Sequence, residues 1–393
     1  MSARSSRDAA LSLPVIVGGL TVAAFSIPVL LSIGLHGRVL VPPGWTRELR
    51  VSVEAGLIAI LVNLIFLAIL AKAPVWRPRV PTLPALRTAR RTVALGYALV
   101  SLLSFAVMAW RLEMVPMLLS NPLLGILSFG ARLGEEKLLL FFFLGLSIFI
   151  GQALLTPADP RWLRWGYRSA VVLSLLFYVL LGRREIVLLS LCLLLLTAGT
   201  LDLRSPRTYL YFGLPLLLLI VLGITRLDDA SDFGLAAEEL SPVALSAYVI
   251  EHDVPVSLSQ LPGGTFLRFA LPGQKGISVT FFMHEVDSGD NPTPVLGLAG
   301  IAYQYWFVFH LAFAWLLAVA AKSAWGIYLA TNAQVLRVLG VFLSFKVFNF
   351  FRNGELPIVF LDIVMFGVLI LPALLASPAA SAGRSVPAGS AHA

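Results

Sequence analysis

The sequence predicts an all-α polytopic membrane protein of about ten transmembrane helices, with a large, partly helical loop on the external side. Of its 393 residues, 58% are hydrophobic and only 13% charged, against about a quarter charged in an average soluble domain. The mean hydropathy is +0.89, which excludes a soluble enzyme. The apolar residues also gather in runs close to the roughly 20 residues that cross a hydrocarbon core. The net charge of +8 could point to nucleic acid, but the basic residues stand between apolar runs rather than in a polar domain, so no nucleic-acid partner is expected. The one cysteine, Cys192, lies inside an apolar run, leaving neither an intramolecular disulfide nor a cysteine metal cluster. Folding therefore rests on helix packing.

The candidate spans fall at about 11–34, 51–71, 92–110, 138–157, 169–182, 186–201, 208–225, 296–321, 335–351 and 356–376. The first is too long for a signal peptide, and Pro14 and Pro28 interrupt it without a small-residue cleavage site, so it is expected to stay as an anchor. Residues 1–376 form one polytopic domain on this reading, and the Ala/Ser/Gly/Pro-rich tail 377–393 is expected to be disordered.

Orientation follows from lysine and arginine in alternate loops, because short basic loops stay in the cytoplasm. Lys72, Arg77, Arg79, Arg87, Arg90 and Arg91 mark one such loop and Arg161, Arg164 and Arg168 a second. Alternation then places both termini, the Arg204/Arg207 turn and a Lys322 loop on the cytoplasmic side. Sixteen of the 29 Lys and Arg fall there, and topology alone accounts for them. The large loop, about 226–295, falls outside and is acidic; Ser241 followed by Pro242 reads as an N-cap and first helical position of a short helix ending near Glu251. Trp45, Trp76, Trp110, Trp162 and Trp165 stand just beyond span ends, where interfacial tryptophans belong.

Three external groups of cations depart from the charge rule. Gly182-Arg183-Arg184-Glu185 and Arg352-Asn353-Gly354-Glu355 are arginine-bearing tight turns, and Arg268 with Lys275 lies in a Gly/Pro-rich stretch. Singly, each could be a polar turn whose arginine reaches the headgroups. Together, with a short run seating Arg183 slightly below the surface, they point to a convergent cluster, since charge within a membrane is costly and usually functional. The planar arginine fork binds phosphate oxygens bidentately and keeps its charge when partly desolvated. The implied ligand is an anionic lipid headgroup, a phosphate or a diphosphate.

Among other polar groups, Lys346 and Asp362 lie at matching depth on consecutive spans and can pair as a structural ion pair. Glu54 sits one turn inside the second span and reaches the interface, and Asn63 and His310 read as mid-membrane interhelical hydrogen-bonding groups. In the large loop, His252 and His284 are candidate acid/base groups because each has a neighbouring carboxylate. Glu251-x-Asp253 has an acid-x-acid pattern, but two carboxylates at that spacing are common; no metal and no cofactor are expected.

In order along the chain, several of these features resemble the O-antigen polymerase (Wzy-type) family of oligosaccharide repeat-unit polymerases. They are Gly182-Arg183-Arg184, then Leu261-Pro262-Gly263-Gly264-Thr265-Phe266 with Pro272 and Lys275. Next come Pro292-Thr293-Pro294-Val295-Leu296-Gly297 before an aromatic span from Tyr303 to Trp306, and finally Arg352-Asn353-Gly354. The likeness covers roughly residues 180–360. It implies a glycosyltransferase in the bacterial cytoplasmic membrane that polymerises undecaprenyl-diphosphate-linked repeat units into O-antigen or a related surface polysaccharide at the periplasmic face.

Donor and acceptor would both be lipid-linked, with a chain-length regulator protein as a further partner of that system. Arg183, Arg184 and Arg352, with Arg268 and Lys275 as an outer clamp, would neutralise the leaving diphosphate without metal. Glu185, Glu355, His252 and His284 remain alternative bases for the acceptor hydroxyl. Two other readings stand beside it. One is a ligase using the same donor; the other is a transporter or flippase of the same lipid, against which the chain has no evident internal repeat.

Overall fold

The computed structural model describes residues 13–40, 50–76, 89–111, 144–180, 242–252, 297–304, 307–354 and 356–377. The described chain is mainly helical. In order it comprises α1 (Leu13–His36), β1 (Val39–Leu40), β2 (Arg50–Val51), α2 (Val53–Lys72), α3 (Arg90–Arg111), α4 (Ser147–Leu154) and α5 (Arg161–Leu180). It continues with α6 (Pro242–His252), α7 (Gly297–Gln304), α8 (Phe307–Thr331), α9 (Gln334–Asn353) and α10 (Leu356–Ala376). Five stretches, Leu13–His36, Val53–Lys72, Arg90–Trp110, Phe307–Thr331 and Gln334–Arg352, are long and apolar enough to cross a membrane. Their outward faces carry large apolar side chains such as Leu20, Leu61, Leu99 and Val308, as lipid contact requires; this is a helical membrane protein.

The chain divides into two compact units. The first takes its described residues from 1–76, 217–322 and 342–365. Here α1 and α2 pack as an antiparallel hairpin, closed by the two-stranded pairing of Val39 with Val51 and Leu40 with Arg50. The helix α6 begins at Pro242, where the sequence places its first turn, and ends at His252. It is not a solvated piece of loop: Pro242 through Ala247 are buried, and α6 packs on α1, α2 and α7.

Small residues permit that packing. A side chain at Gly297 would meet the Pro242 carbonyl oxygen at 2.7 Å and Ser246 Oγ at 2.9 Å, and Gly297 also has φ +71°. Only glycine combines that backbone conformation with so close an approach.

The second unit takes its described residues from 77–216, 323–341 and 366–393. Side chains tie its helices to one another's backbones: Tyr167 donates its hydroxyl to the Ala94 carbonyl, Ser147 Oγ to the Tyr97 carbonyl at 2.9 Å, and Ser101 Oγ to Gly145 at 2.9 Å. The Tyr97 hydroxyl donates to the Leu369 carbonyl at 2.6 Å and accepts from the Ala373 N–H at 3.2 Å. It thereby stands between two groups that an uninterrupted α10 would join directly, beside Pro372, which lacks its own N–H.

Several expectations require correction. The expected eighth span does not end at 321: α8 continues to Thr331. Lys322 is therefore not in a loop but buried within a helix, donating Nζ–H to the carbonyls of Ala71 at 2.8 Å and Ala73 at 2.5 Å. It covers the unpaired carbonyls at the C-terminus of α2, where a cation also complements the helix dipole. Arg337 is likewise buried on α9, 5.3 Å over the Tyr328 ring. Arg161, Arg164 and Arg168 lie on α5, which begins eight residues before the expected span; of the expected span at 138–157 the described part starts at 144 and includes α4. Pro28 is accommodated inside a continuous α1. The candidate spans at 186–201 and 208–225, most of the acidic loop, Cys192, Trp45 and the tail from 378 lie outside the described residues.

Candidate functional site

The first unit carries polar groups at two separate places: one where α2 begins and α6 ends, the other at the turn from α9 to α10, where Phe350 packs against Phe66 in the C-terminal third of α2. Ser52 is the N-cap of α2, its hydroxyl accepting from the Ala55 N–H at 3.2 Å. Its own N–H donates to the Glu251 carboxylate at the end of α6. Glu251 thus fixes α6 against the N-terminus of α2, where negative charge is favoured. His252 follows, exposed, its ring centroid 4.4 Å from that of Tyr248 one turn earlier. Glu54 is exposed in the first turn of α2, as its position in the sequence implies.

Arg352 occupies the last turn of α9 and is half-buried. The tight turn expected after it is present: α9 ends at Asn353, Gly354 has φ +63° and returns its N–H to the Phe350 carbonyl at 3.0 Å, and α10 begins at Leu356. This is the left-handed helix stop that glycine serves best. His310, 1% exposed, donates its Nε2–H to the Gly354 carbonyl at 3.1 Å. It lies in the first turn of α8, makes a hydrogen bond to another helix's end as its expected role implies, and pins the turn that carries Arg352.

Below that turn, Lys346 of α9 and Asp362 of α10 form the ion pair that their matching depth predicts. Both are 4% exposed, and Lys346 Nζ lies 5.3 Å over the Phe342 ring and 5.7 Å over that of Phe345. An isolated charge in such surroundings is prohibitive; pairing and the aromatic faces make it tolerable. Buried polar atoms continue through this unit at Ser26 Oγ, Asn63 Oδ1 and Asn349 Oδ1, none with a hydrogen-bond partner among the described residues. Asn63 is therefore buried as expected, but its carbonyl oxygen makes no interhelical hydrogen bond there.

Of the residues proposed for catalysis and diphosphate binding, the structure describes Arg352 and His252. Arg183, Arg184, Glu185, Arg268, Lys275, His284 and Glu355 lie outside the described residues. No family model, curated protein or solved structure matches the chain.

Three contributions have no local signal in the sequence: Glu251 as a cap, His310 as a turn pin and Lys322 as a helix-end cation. Ser52 preceding a long apolar run was a readable N-cap signal. Its partner 199 positions away was not.

A separate cluster belongs to the second unit. Asp159, with a fully buried carboxylate, accepts from the Thr156 N–H at 2.6 Å, the Thr156 hydroxyl at 2.9 Å, Arg90 Nη2 at 2.9 Å and Arg91 Nε at 2.6 Å. Burial alone would raise its pKa, but the Thr156 N–H, the Arg91 and Thr156 hydrogen bonds and the Arg90 charge together bring it down to about 2. Asp159-Pro160 ahead of α5 carries the sequence signal of a helix start. The bonds of this carboxylate hold the connection between α4 and α5 to the start of α3, so the cluster is structural.

Proposed function

We propose that the protein is a multi-pass glycosyltransferase of the O-antigen polymerase kind, acting on undecaprenyl-diphosphate-linked oligosaccharides at the periplasmic face of a bacterial cytoplasmic membrane. In this reading it has about ten spans and both termini in the cytoplasm. The loop of about 226–295, with His252 in it, and the turn bearing Arg352 both open toward the periplasm. The acceptor hydroxyl attacks the anomeric carbon of the donor. The bond from that carbon to the diphosphate breaks, and the hydroxyl proton passes to a base among Glu185, His252, His284 and Glu355.

The observation that carries the reading is the placement of Arg352. It terminates a membrane helix at a turn pinned by His310 and underlain by a buried ion pair, so its guanidinium is presented from a rigid base. Rigidity matters because a preorganised cation stabilises developing diphosphate charge without reorganising during the reaction. Arg183 and Arg184 are the expected partners of Arg352, with Arg268 and Lys275 as the outer clamp.

The test is chain elongation by purified protein on lipid-linked repeat units. Loss of a diphosphate-stabilising arginine is expected to lower turnover by about 10²-fold or more, for Arg183→Ala and Arg352→Ala alike. Elongation retained in both variants would sink the arginine site. A product joined to a different acceptor would make the protein a ligase, and lipid movement across vesicles with no glycosidic bond formed would make it a transporter.

A further inference from the structure

The first two turns of α5 read Arg161-Trp162-Leu163-Arg164-Trp165-Gly166-Tyr167-Arg168. Leu163 and Tyr167, one turn apart, are buried and hold the helix to its unit. Arg161, Arg164 and Arg168 share one helical stripe by their spacing, with Arg164 half-buried at the edge of the packed side, and the exposed side beyond it carries Trp162 and Trp165, 70% and 63% exposed. Arg168 lies 5.2 Å over the Trp165 ring, and Arg164 Nε is buried without a hydrogen-bond partner among the described residues. The nearby carboxylate, Asp159, is committed to Thr156, Arg90 and Arg91. Among the described residues the stripe therefore has a surplus of positive charge.

The same exposed side changes character one turn later, at Val172 and Leu173, which are 48% and 65% exposed. Cations and indoles followed along one helix face by aliphatic side chains match a phospholipid: headgroup first, acyl chain next. A soluble phosphate would have no use for the apolar half. We propose that the Arg161/Arg164/Arg168 stripe with Trp162 and Trp165 is a binding site for an anionic phospholipid, its phosphodiester held by the guanidinium groups and its chains lying along Val172 and Leu173. This site is independent of the glycan chemistry proposed above.

The full chain, reconstituted in phosphatidylcholine vesicles containing a minor fraction of phosphatidylglycerol, provides the test. Tryptophan quenching by chain-brominated phosphatidylglycerol is compared with quenching by chain-brominated phosphatidylcholine at equal mole fraction. The wild type is expected to favour phosphatidylglycerol by roughly fivefold or more in local enrichment, given about 1 kcal/mol per arginine near the headgroups. R161Q/R164Q/R168Q should lose the preference. The lysine triple variant, which keeps the charge, and R204Q/R207Q, which removes cations elsewhere, should both retain it.

Equal quenching by the two lipids in the wild type, or a preference surviving in the glutamine variant, overturns the proposal. So does a preference lost equally in R204Q/R207Q, which would mark an effect of net charge, or lost in the lysine variant. Displacement by excess inorganic phosphate would identify a soluble-anion site and overturn the lipid assignment.

Discussion

Each unit contains a buried carboxylate, and the two are neutralised in different ways. Asp362 meets a single lysine within apolar helices, and both partners are almost wholly buried. Asp159 meets two arginines and a backbone N–H in a connection between helices, and Arg91 remains 57% exposed. The first pair has no access to water if one member is removed. The second can recruit solvent through the exposed Arg91. Similar chemistry should therefore have unequal energetic weight, because the penalty for an unpaired charge depends on whether water can replace the partner.

The sharpest way to break this contrast is to remove one charge from each cluster. Lys346→Met strands Asp362 and should cost about 3–5 kcal/mol, seen as a fall in thermal stability in detergent. Replacing both residues, as K346M/D362L, should recover most of that loss. If the single variant were as stable as wild type, the buried pair would not be the stronger of the two.

Asp159→Asn should cost less, about 2–3 kcal/mol, since charge-assisted hydrogen bonds are lost but Arg90 and Arg91 can turn to solvent. Its pH dependence supplies a second measurement. The folded pKa of about 2 is below the ordinary 3.8, so this contribution is present above about pH 4 and disappears as pH falls through 2. A melting temperature followed across that window should fall in the wild type by a component missing from the asparagine variant.

Backbone contacts sharpen the comparison at lower energies. Gly297→Ala in the first unit combines a positive φ with a clash against the Pro242 carbonyl, and should destabilise by about 2 kcal/mol. Tyr97→Phe in the second removes a hydroxyl inserted in α10, yet the Leu369 carbonyl and Ala373 N–H can then bond to each other. About 1 kcal/mol is expected, by the same melting measurement.

Much of the helical framework was legible in the residues. Apolar run length located α1, α2, α3, α9 and α10 to within a few positions, since spanning a hydrocarbon layer imposes a length that the sequence displays. Pro242 marked the start of α6, and Gly354 the stop between α9 and α10, because both act through backbone geometry local to themselves. Placing cations in loops failed at Lys322 and the arginines of α5, which lie on helices, as the buried Arg337 also does. Counting a cation as loop assumes that it seeks water, but Lys322 found two carbonyls at another helix's end and Arg337 found an aromatic face.

The candidate site was only partly legible. Arg352 and His252 could be named from residue type and position, whereas the support beneath Arg352 depends on His310, 44 residues before Gly354. By itself the sequence determined the membrane character, the main helices and the local stops, all of which depend on properties of consecutive residues. The tertiary structure decided which polar groups are spent on holding helices together, as Glu251, His310 and Lys322 are. Hydrogen bonding and desolvation are settled by neighbours in space, and those neighbours lie 44 to 251 positions away along the chain.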